Sequence, residues 1–238
     1  MGLGNPGKEY ERTRHNAGFG LVERFAAASG VALRKDPKYQ ALVGRIEGGA
    51  AGSSTFLLLP QSFMNASGRA VQMLAGFFKI APAEILVVHD ELDFSPGTAK
   101  IKQGGGIAGH NGLRDISQRL GSHDYWRLRL GIGHPGDKNA VTDYVLQKPS
   151  AEDRAAIDEA IARSIEILPL CVAADMQGAM QKLHSVDKEK PAAKKTEAKP
   201  EAKAEPKKVE PKKVESKAEP KPEPEKKGLF GSLFGKKK

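Results

Sequence analysis

The stretch EILVVHD, residues 84–90, decides the fold because it contains four successive apolar residues. A strand with one exposed face alternates apolar and polar residues, whereas an unbroken apolar run is typical of a strand buried on both faces. Such a strand lies inside a sheet that helices cover on both sides. Asp90 then follows the end of this strand, where open α/β sheets gather their ligand sites.

Strand and helix signals alternate along residues 1–186, which predicts one α/β domain. Short strand-like runs occupy residues 40–46, 55–60, 84–89, 98–102 and 126–132. Apolar residues at helical spacing cover residues 21–28, 67–79, 110–120, 140–147 and 151–174. This order predicts three layers, with a largely parallel or mixed sheet between two layers of helices.

The composition changes near His184 to lysine, glutamate, alanine and proline. A segment of this kind cannot bury enough apolar surface to fold, so residues 187–227 are predicted to be a disordered linker. The chain then ends in GLFGSLFGKKK, residues 228–238, where leucines and phenylalanines share a helical face beside lysines. This short apolar and basic segment suits a partner groove or an anionic membrane surface, or it is a terminus without a partner.

The net charge of +9 is distributed unevenly. Residues 187–238 carry 17 lysines against ten acidic residues, so the body of the chain is close to neutral. Within the body, residues 100–138 hold seven basic and three acidic residues. If the fold gathers this segment on one face, that face suits a polyanion; ordinary surface scatter is the alternative.

Several functional classes lose their support from the sequence. A single cysteine, Cys171 in an apolar context, excludes an internal disulfide and a paired-cysteine metal site, and fits packing in a reducing cytoplasm. The six histidines do not fall at metal-ligand spacing, and the motifs of serine hydrolases, zinc proteases and P-loop NTPases are absent. No stretch has the length of a membrane span, and residues 1–16 lack a signal-type apolar core. We therefore expect a cytoplasmic protein without a metal or other cofactor.

The stretch GLGNPG, residues 2–7, matches a dinucleotide-binding fingerprint only by its glycines. That fingerprint follows a strand and opens a helix, and here KEYERTRHN follows without an apolar helical stripe. Asn5-Pro6-Gly7 is better interpreted as a tight turn that presents the Asn5 amide outward.

Polar residues at the ends of predicted elements form a candidate site. They are Asn5, His15 with Asn16, Asn65, Asp90, and His110 with Asn111. Each one alone is interpreted equally well as a helix cap or a turn former. Together they suit one chemistry: His15 takes a proton from water, Asp90 orients the imidazole, and the amides bind a peptide-like backbone. Because no nucleophile accompanies them, the pattern favours direct attack of water on an activated acyl group.

Five stretches in order resemble the motifs of the bacterial peptidyl-tRNA hydrolase family, from residue 2 to about residue 184. They are GLGNPGKEYERTRHNAG, SFMNASG, VVHDELDFSPG, GGGIAGHNGL and LRLGIGHPGDK. The resemblance implies hydrolysis of the ester between a nascent peptide and the 3′ ribose of tRNA. It also implies a single α/β domain with a mixed twisted sheet, a monomer, and no need for a metal.

The resemblance also implies roles for individual residues. His15 would be the general base and Asp90 its partner, with Asn16 as the residue that starts the helix. The peptide and the scissile ester would be held by Asn5, Asn65 and Asn111, and the site would also be lined by Tyr10 and His110. Lys102, Arg129 and Lys138 would face tRNA, and all three lie in the basic segment 100–138.

The sequence departs from the family pattern in two places. Members of the family carry several apolar residues before GLGNPG, so we expect the natural start to lie upstream of Met1. Ile107-Ala108 replaces a His-Gly pair found in some members, which predicts altered loop contacts rather than lost catalysis.

Two further hypotheses remain open from the sequence. Plant organelle splicing factors share this fold, so a non-catalytic RNA-binding module is the alternative function. Residues 187–238 would act as a basic tether that touches the ribosome, RNA or an anionic membrane surface.

Overall fold

A computed structural model describes residues 1–189, which form six strands and six helices. The strands are β1 (Arg34–Asp36), β2 (Ala41–Ile46), β3 (Thr55–Pro60), β4 (Leu86–Glu91), β5 (Ala99–Gln103) and β6 (Trp126–Gly131). The helices are α1 (Ala17–Ala28), α2 (Gly68–Phe78), α3 (Asn111–Leu120), α4 (Val141–Leu146), α5 (Ala151–Val172) and α6 (Met176–Glu189). The first three residues of the predicted linker, 187–189, belong to helix α6, so the prediction that disorder begins at residue 187 is wrong. The rest of the linker and the predicted terminal segment, from residue 190 onward, lie outside the described residues.

The strands form two three-stranded sheets that the first residues of the chain join. One sheet has the order β1-β2-β3 and is antiparallel; in the other, β6 lies between β4, which is parallel to it, and β5, which is antiparallel. Gly2 pairs in parallel with Val88 of β4, and its N–H donates to the carbonyl of Leu58 in β3 at 3.0 Å. A three-residue segment therefore continues the mixed sheet from β3 to β4.

Strand β4 is buried on both faces, as the apolar run predicts. Val88 packs in one core with residues of α1, α5 and α6, while Val87 packs in a second core with residues of α2 and α3. The α/β class with helices on both faces is confirmed. The strand begins at Leu86, because Pro82–Glu84 forms a 3-10 turn in which the Glu84 carboxylate accepts the N–H of Ala81 at 2.7 Å.

Two elements were not predicted. Strand β1 has the sequence RKD, which carries no apolar alternation, and it forms because its backbone pairs with β2. Helix α6 packs Ala179 and Leu183 into the core. His184 of α6 accepts the backbone N–H of Ile101 in β5 through Nε2 at 3.1 Å.

Among residues 1–189, no helix combines the length and the apolar character needed to span a membrane.

A cavity of about 810 Å³ lies beside Met1, on the side of β4 where that strand begins. Its lining includes Met1, Leu57, Phe78, Leu86 and Trp126. The amino group of Met1 donates to the carbonyl of Leu86 at 2.7 Å. Burial lowers the pKa of this amino group to about 5.

We predict that about five apolar, β-branched residues added before Met1 raise the melting temperature, because they would extend between β3 and β4. They would remove a buried ionisable group and fill part of the cavity, for a gain on the order of 1–3 kcal/mol in the free energy of unfolding. Thermal denaturation of the extended and original chains measures the change. An extension of equal length made of glycine and serine is the control, since it removes the amino group and adds no apolar side chain. Equal melting temperatures for the two extensions would contradict the cavity-filling argument.

Candidate active site

A second cavity, of about 790 Å³, opens at the carboxyl end of β4. Nine of the ten predicted site residues line it, namely Asn5, His15, Asn65, Asp90, Lys102, His110, Asn111, Arg129 and Lys138. Tyr10 is not part of this lining. Its ring instead lies edge-on to Phe63, a lining residue, with 6.2 Å between the ring centroids.

His15 and Asp90 are in direct contact. Nδ1 of His15 lies 3.0 Å from Oδ1 and 2.9 Å from Oδ2 of Asp90. His15 belongs to a 3-10 turn, Arg14–Asn16, which the neighbouring Arg14 anchors. The buried guanidinium of Arg14 forms an ion pair with Asp153 at 3.2 Å and lies over the ring of Tyr144. His15 is therefore positioned by α4 and α5 as well as by its own turn.

His110 is the second imidazole that contacts Asp90, and its tautomer follows from its position. It precedes α3, and its Nδ1 accepts the backbone N–H groups of Gly112 at 3.1 Å and Leu113 at 3.4 Å. Nδ1 therefore carries no proton, and Nε2 carries it instead. Nε2–H donates to Oδ1 of Asp90 at 3.0 Å.

These contacts leave one nitrogen available for chemistry. Asp90 accepts the Nδ1–H of His15, so Nε2 of that ring bears the lone pair. Within residues 1–189, Nε2 of His15 has no hydrogen-bond partner. The lone pair is accordingly free to accept a proton from a water molecule in the cavity.

The charges of the pair are strongly coupled. Burial would lower the pKa of His15, but the charge of Asp90 and its hydrogen bond outweigh burial and raise the pKa above the ordinary 6.5. For Asp90, burial would raise the pKa, but the two imidazoles hold the pKa of the carboxyl well below its ordinary value. Asp90 is therefore a carboxylate at neutral pH, which favours the protonated state of His15 after proton transfer.

His15, Asp90 and His110 offer three potential ligand atoms within 4.8 Å of one another. A metal ion here would need a lone pair on Nε2 of His110. The proton of that ring would have to move to Nδ1, against the two backbone N–H groups that point at it. The group thus fits hydrogen bonding to a carboxylate and does not fit metal ligation.

Asn16 fixes Asn5 rather than capping α1. Its Oδ1 accepts the N–H of Asn5, and its Nδ2 donates to the carbonyl of Asn5, both at 2.9 Å. The prediction of an outward-facing Asn5 is wrong, because only 7% of the residue is exposed and its Oδ1 accepts the N–H of Met64 at 2.8 Å. The Nδ2 group of Asn5 is left as the donor for a ligand.

The remaining predicted residues surround the mouth of the cavity. Asn65 is exposed in the 3-10 turn Met64–Ala66, and Asn111 is the exposed first residue of α3. Lys102 and Lys138 are exposed on β5 and on a 3-10 turn. Nη1 of Arg129 in β6 lies 3.8 Å from Oε2 of Glu91.

Lining residues outside the predicted set include Phe63, His89 and Arg127. The alternation in WRLRL could have predicted that Arg127 lies near the site, because it places Arg127 on the same face of β6 as Arg129. His89 donates through Nδ1 to the carbonyl of Asp90 at 2.7 Å, and burial lowers its pKa to about 3. It therefore adds no charge beside the pair at neutral pH.

No serine or cysteine is found among the described residues that line the cavity. A base with a free nitrogen beside a buried carboxylate, surrounded by amide groups, is the arrangement of a hydrolase that activates water. The mixed α/β fold and the site thus indicate a hydrolase whose nucleophile is water.

Comparison with known proteins identifies the family. The model of the family described as Peptidyl-tRNA hydrolase matches residues 1–193. A peptidyl-tRNA hydrolase of Thiobacillus denitrificans is 52% identical over 200 residues, covering 84% of this chain and 94% of that protein. A peptidyl-tRNA hydrolase of Nitrosospira multiformis is 53% identical over 185 residues, covering 78% of this chain and 96% of that protein. The crystal structure of peptidyl-tRNA hydrolase from Acinetobacter baumannii aligns with a TM-score of 0.73 at 45% identity, covering 76% of this chain and 91% of that one. The chain belongs to the peptidyl-tRNA hydrolase family.

We predict that Asp90→Asn lowers the pKa of His15 from its raised value, because burial then acts on the imidazole without an opposing carboxylate. NMR titration of the histidine ring protons measures the midpoint in both proteins. The resonances of His123, which is exposed and contacts neither residue, are the internal control. An unchanged or higher midpoint for His15 would show that Asp90 does not set its charge.

Proposed function

We propose that this chain hydrolyses the ester between a nascent, N-blocked peptide and the 3′ ribose of tRNA, with His15 as general base. The contact of Asp90 with Nδ1 of His15, which leaves Nε2 free in the cavity, carries this proposal. Family membership supports the choice of substrate. The dyad favours hydrolysis over the non-catalytic RNA-binding module, because binding alone does not require a base beside a buried carboxylate.

The reaction needs only water as nucleophile. Nε2 of His15 accepts a proton as the water oxygen bonds to the ester carbonyl carbon, and the carbonyl electron pair moves onto the carbonyl oxygen. The tetrahedral intermediate then collapses, and the bond to the ribose 3′ oxygen breaks. The imidazolium of His15 returns its proton to that oxygen, so a free peptide acid and a tRNA hydroxyl are released. Asp90 stabilises the imidazolium between the two proton transfers.

The amide side chains position the acyl group. Asn5 offers Nδ2 from a rigid site, because Asn16 and Met64 hold its backbone and its Oδ1. Asn65 and Asn111 at the mouth of the cavity hold the peptide backbone, since an amide side chain pairs with a peptide group as donor and acceptor. Tyr10 contributes through Phe63 rather than by lining the cavity.

The basic residues position the tRNA. Lys102, Arg129 and Lys138 line the cavity, where they contact backbone phosphates without reading the sequence. The tail over residues 187–238 adds a second electrostatic contact with RNA, the ribosome or an anionic membrane surface, because it carries 17 lysines against ten acidic residues.

The active unit is a single chain that works in the cytoplasm. A monomer is what the family resemblance implies, and residues 1–186 of one chain hold every residue assigned to the site. A single cysteine, Cys171, fits a reducing compartment.

We predict that His15→Ala lowers the rate of release of an N-acetylaminoacyl group from tRNA by about 10²–10⁴-fold, because the general base is lost. The assay contains a chelator and compares the acetylated substrate with aminoacyl-tRNA that has a free amino group. The original chain should release only the blocked substrate at a high rate.

His123→Ala is the matched control, since it removes an exposed histidine outside the cavity lining. Binding of tRNA by the His15 variant should persist. A folded wild-type chain that binds tRNA and releases neither substrate would favour the RNA-binding module.

We predict that Lys102→Ala, Arg129→Ala and Lys138→Ala together raise KM more than they lower kcat. Each lost phosphate contact should reduce the slope of log KM against log salt by about 1. A chain truncated after residue 186 measures the contribution of the tail in the same titration.

Arg45→Ala is the control for loss of an exposed cation. Arg45 on β2 forms an ion pair with Glu47 and does not line the cavity that contains His15 and Asp90. An equal change in KM for this control would mean that net charge alone is responsible. An unchanged salt slope in the truncated chain would remove the tail from the proposal.

A further inference from the structure

Arg127 is a charged residue that the mechanism above does not use. It lies on β6 beside Val87 of β4 and Lys102 of β5, and only 2% of it is exposed. Its guanidinium donates to the carbonyl of Gly105 at 2.8 Å and to the carbonyl of Gly106. It also lies over the buried ring of Tyr125, 4.8 Å from the centroid.

The buried charge of Arg127 has no carboxylate partner within residues 1–189, unlike two other arginines near the site. Arg14 pairs with Asp153, and Arg129 lies near Glu91. Burying a cation without an ion pair is unfavourable unless its hydrogen bonds are satisfied by other groups. Here the backbone carbonyls of Gly105 and Gly106 accept hydrogen bonds from the guanidinium in place of a carboxylate. A planar guanidinium can donate to two adjacent acceptors at once.

The carbonyls belong to the glycine-rich loop, residues 104–109, which has few other attachments. Its backbone is held at its start by Gly104 N–H to Tyr125 O at 3.0 Å and near its end by His110 N–H to Ile107 O at 2.8 Å. Within residues 1–189, no side chain except Arg127 hydrogen-bonds to the backbone of this loop. Gly105 has a φ of +99°, so a side chain there would be strained.

The loop connects two functional positions. Its residues 106–109 line the cavity, and it leads directly into His110, which donates to Asp90. At its other end, the ammonium of Lys102 packs against Gly105, where a Cβ atom would lie 2.6 Å from Nζ. A displacement of Gly105 and Gly106 would therefore shift both His110, which donates to the Asp90 carboxylate, and Lys102, the proposed tRNA contact.

We propose that Arg127 is a positioning residue of this site, whose guanidinium ties the glycine-rich loop to β6 and so holds His110 against Asp90. The proposal deepens the proposed function and rests on it for its kinetic readouts. Arg127 lines the cavity but is almost wholly buried, and its guanidinium is directed at the loop carbonyls, so we assign it to positioning and not to contact with the reacting atoms.

Loss of this anchor has a distinctive consequence for the base. When the loop moves, His110 donates less to Asp90, and the carboxylate is left to stabilise protonated His15 more strongly. The acid limb of kcat/KM then moves to higher pH. The other charged or titratable groups that line this cavity are His89 and Glu91 on β4, Asp93, Lys102 on β5, His110 before α3, Arg127 and Arg129 on β6, His134, and Lys138.

The test uses Arg127→Ala and Arg127→Lys in the full chain, with hydrogen–deuterium exchange of residues 104–110 as a readout independent of activity. We expect faster exchange in this loop and a fall in kcat/KM of about 10- to 100-fold for the alanine variant. Added methylguanidinium should occupy the vacated position, slow the exchange and restore activity. The Arg127→Lys variant should show loop exchange and kcat/KM between those of wild type and Arg127→Ala, because one ammonium group does not reproduce the bidentate contact of the guanidinium with two carbonyls.

Arg163→Ala is the matched control. Arg163 also donates to a glycine carbonyl, that of Gly97 at 2.5 Å, but it does not line the cavity. This variant should lose stability and keep the wild-type loop exchange and pH profile.

Several outcomes would overturn the proposal. These are wild-type loop exchange in folded Arg127→Ala, a rate loss that methylguanidinium does not restore, or an equal pH shift in Arg163→Ala. If the alanine variant does not fold, wild-type exchange and pH profile in Arg127→Lys overturn it. An inactive wild-type chain would refute the proposed function, and loop exchange would then decide the anchoring role by itself.

Discussion

The site depends on one buried carboxylate. Only 4% of Asp90 is exposed, and a carboxylate at such a position is unfavourable without hydrogen-bond donors. Two imidazole N–H groups supply them, from His15 before α1 and from His110 before α3. The start of each helix must therefore meet the end of β4, and this requirement links the layers of the fold at a single point.

Adjacent residues divide the work of chemistry and support around that point. His15 contacts the carboxylate of Asp90, while Asn16 clamps the backbone of Asn5. His89 remains neutral and holds the carbonyl of Asp90, whose carboxylate carries the charge. In each pair, one side chain is directed at the reaction and its neighbour restricts the backbone, which keeps the reacting groups in place without extra charge.

The sequence predicted the parts of the fold that depend on burial. The apolar run around Val88 and the alternation in WRLRL marked β4 and β6, because buried strands are selected for apolar side chains. Strand β1 escaped prediction, since an exposed RKD segment pairs through its backbone alone. The convergence of the motif residues followed from their places at element ends. The inward orientation of the Asn5 side chain could not be predicted in this way, because it depends on the N–H of Met64, 59 residues away in sequence. The tautomer of His110 likewise depends on amide groups that become oriented only when α3 forms.

The position of the positive charge beside the site is a consequence of strand register. Lys100 faces Arg129, and Lys102 faces Arg127, across the antiparallel pair β5 and β6. Residues that face each other directly share one face of the sheet, so alternation gathers all four cations there. The opposite face of the same strands holds Ile101, Leu128 and Leu130 in the core. Four of the seven basic residues in segment 100–138, for which the sequence left both a polyanion-binding face and surface scatter open, therefore form a one-sided field next to β4. The carboxylate of Asp90, by contrast, is enclosed by two imidazoles at the end of β4. The positive face is thus kept apart from the buried anion, which fits the roles proposed above for the cations toward tRNA and for Asp90 toward His15.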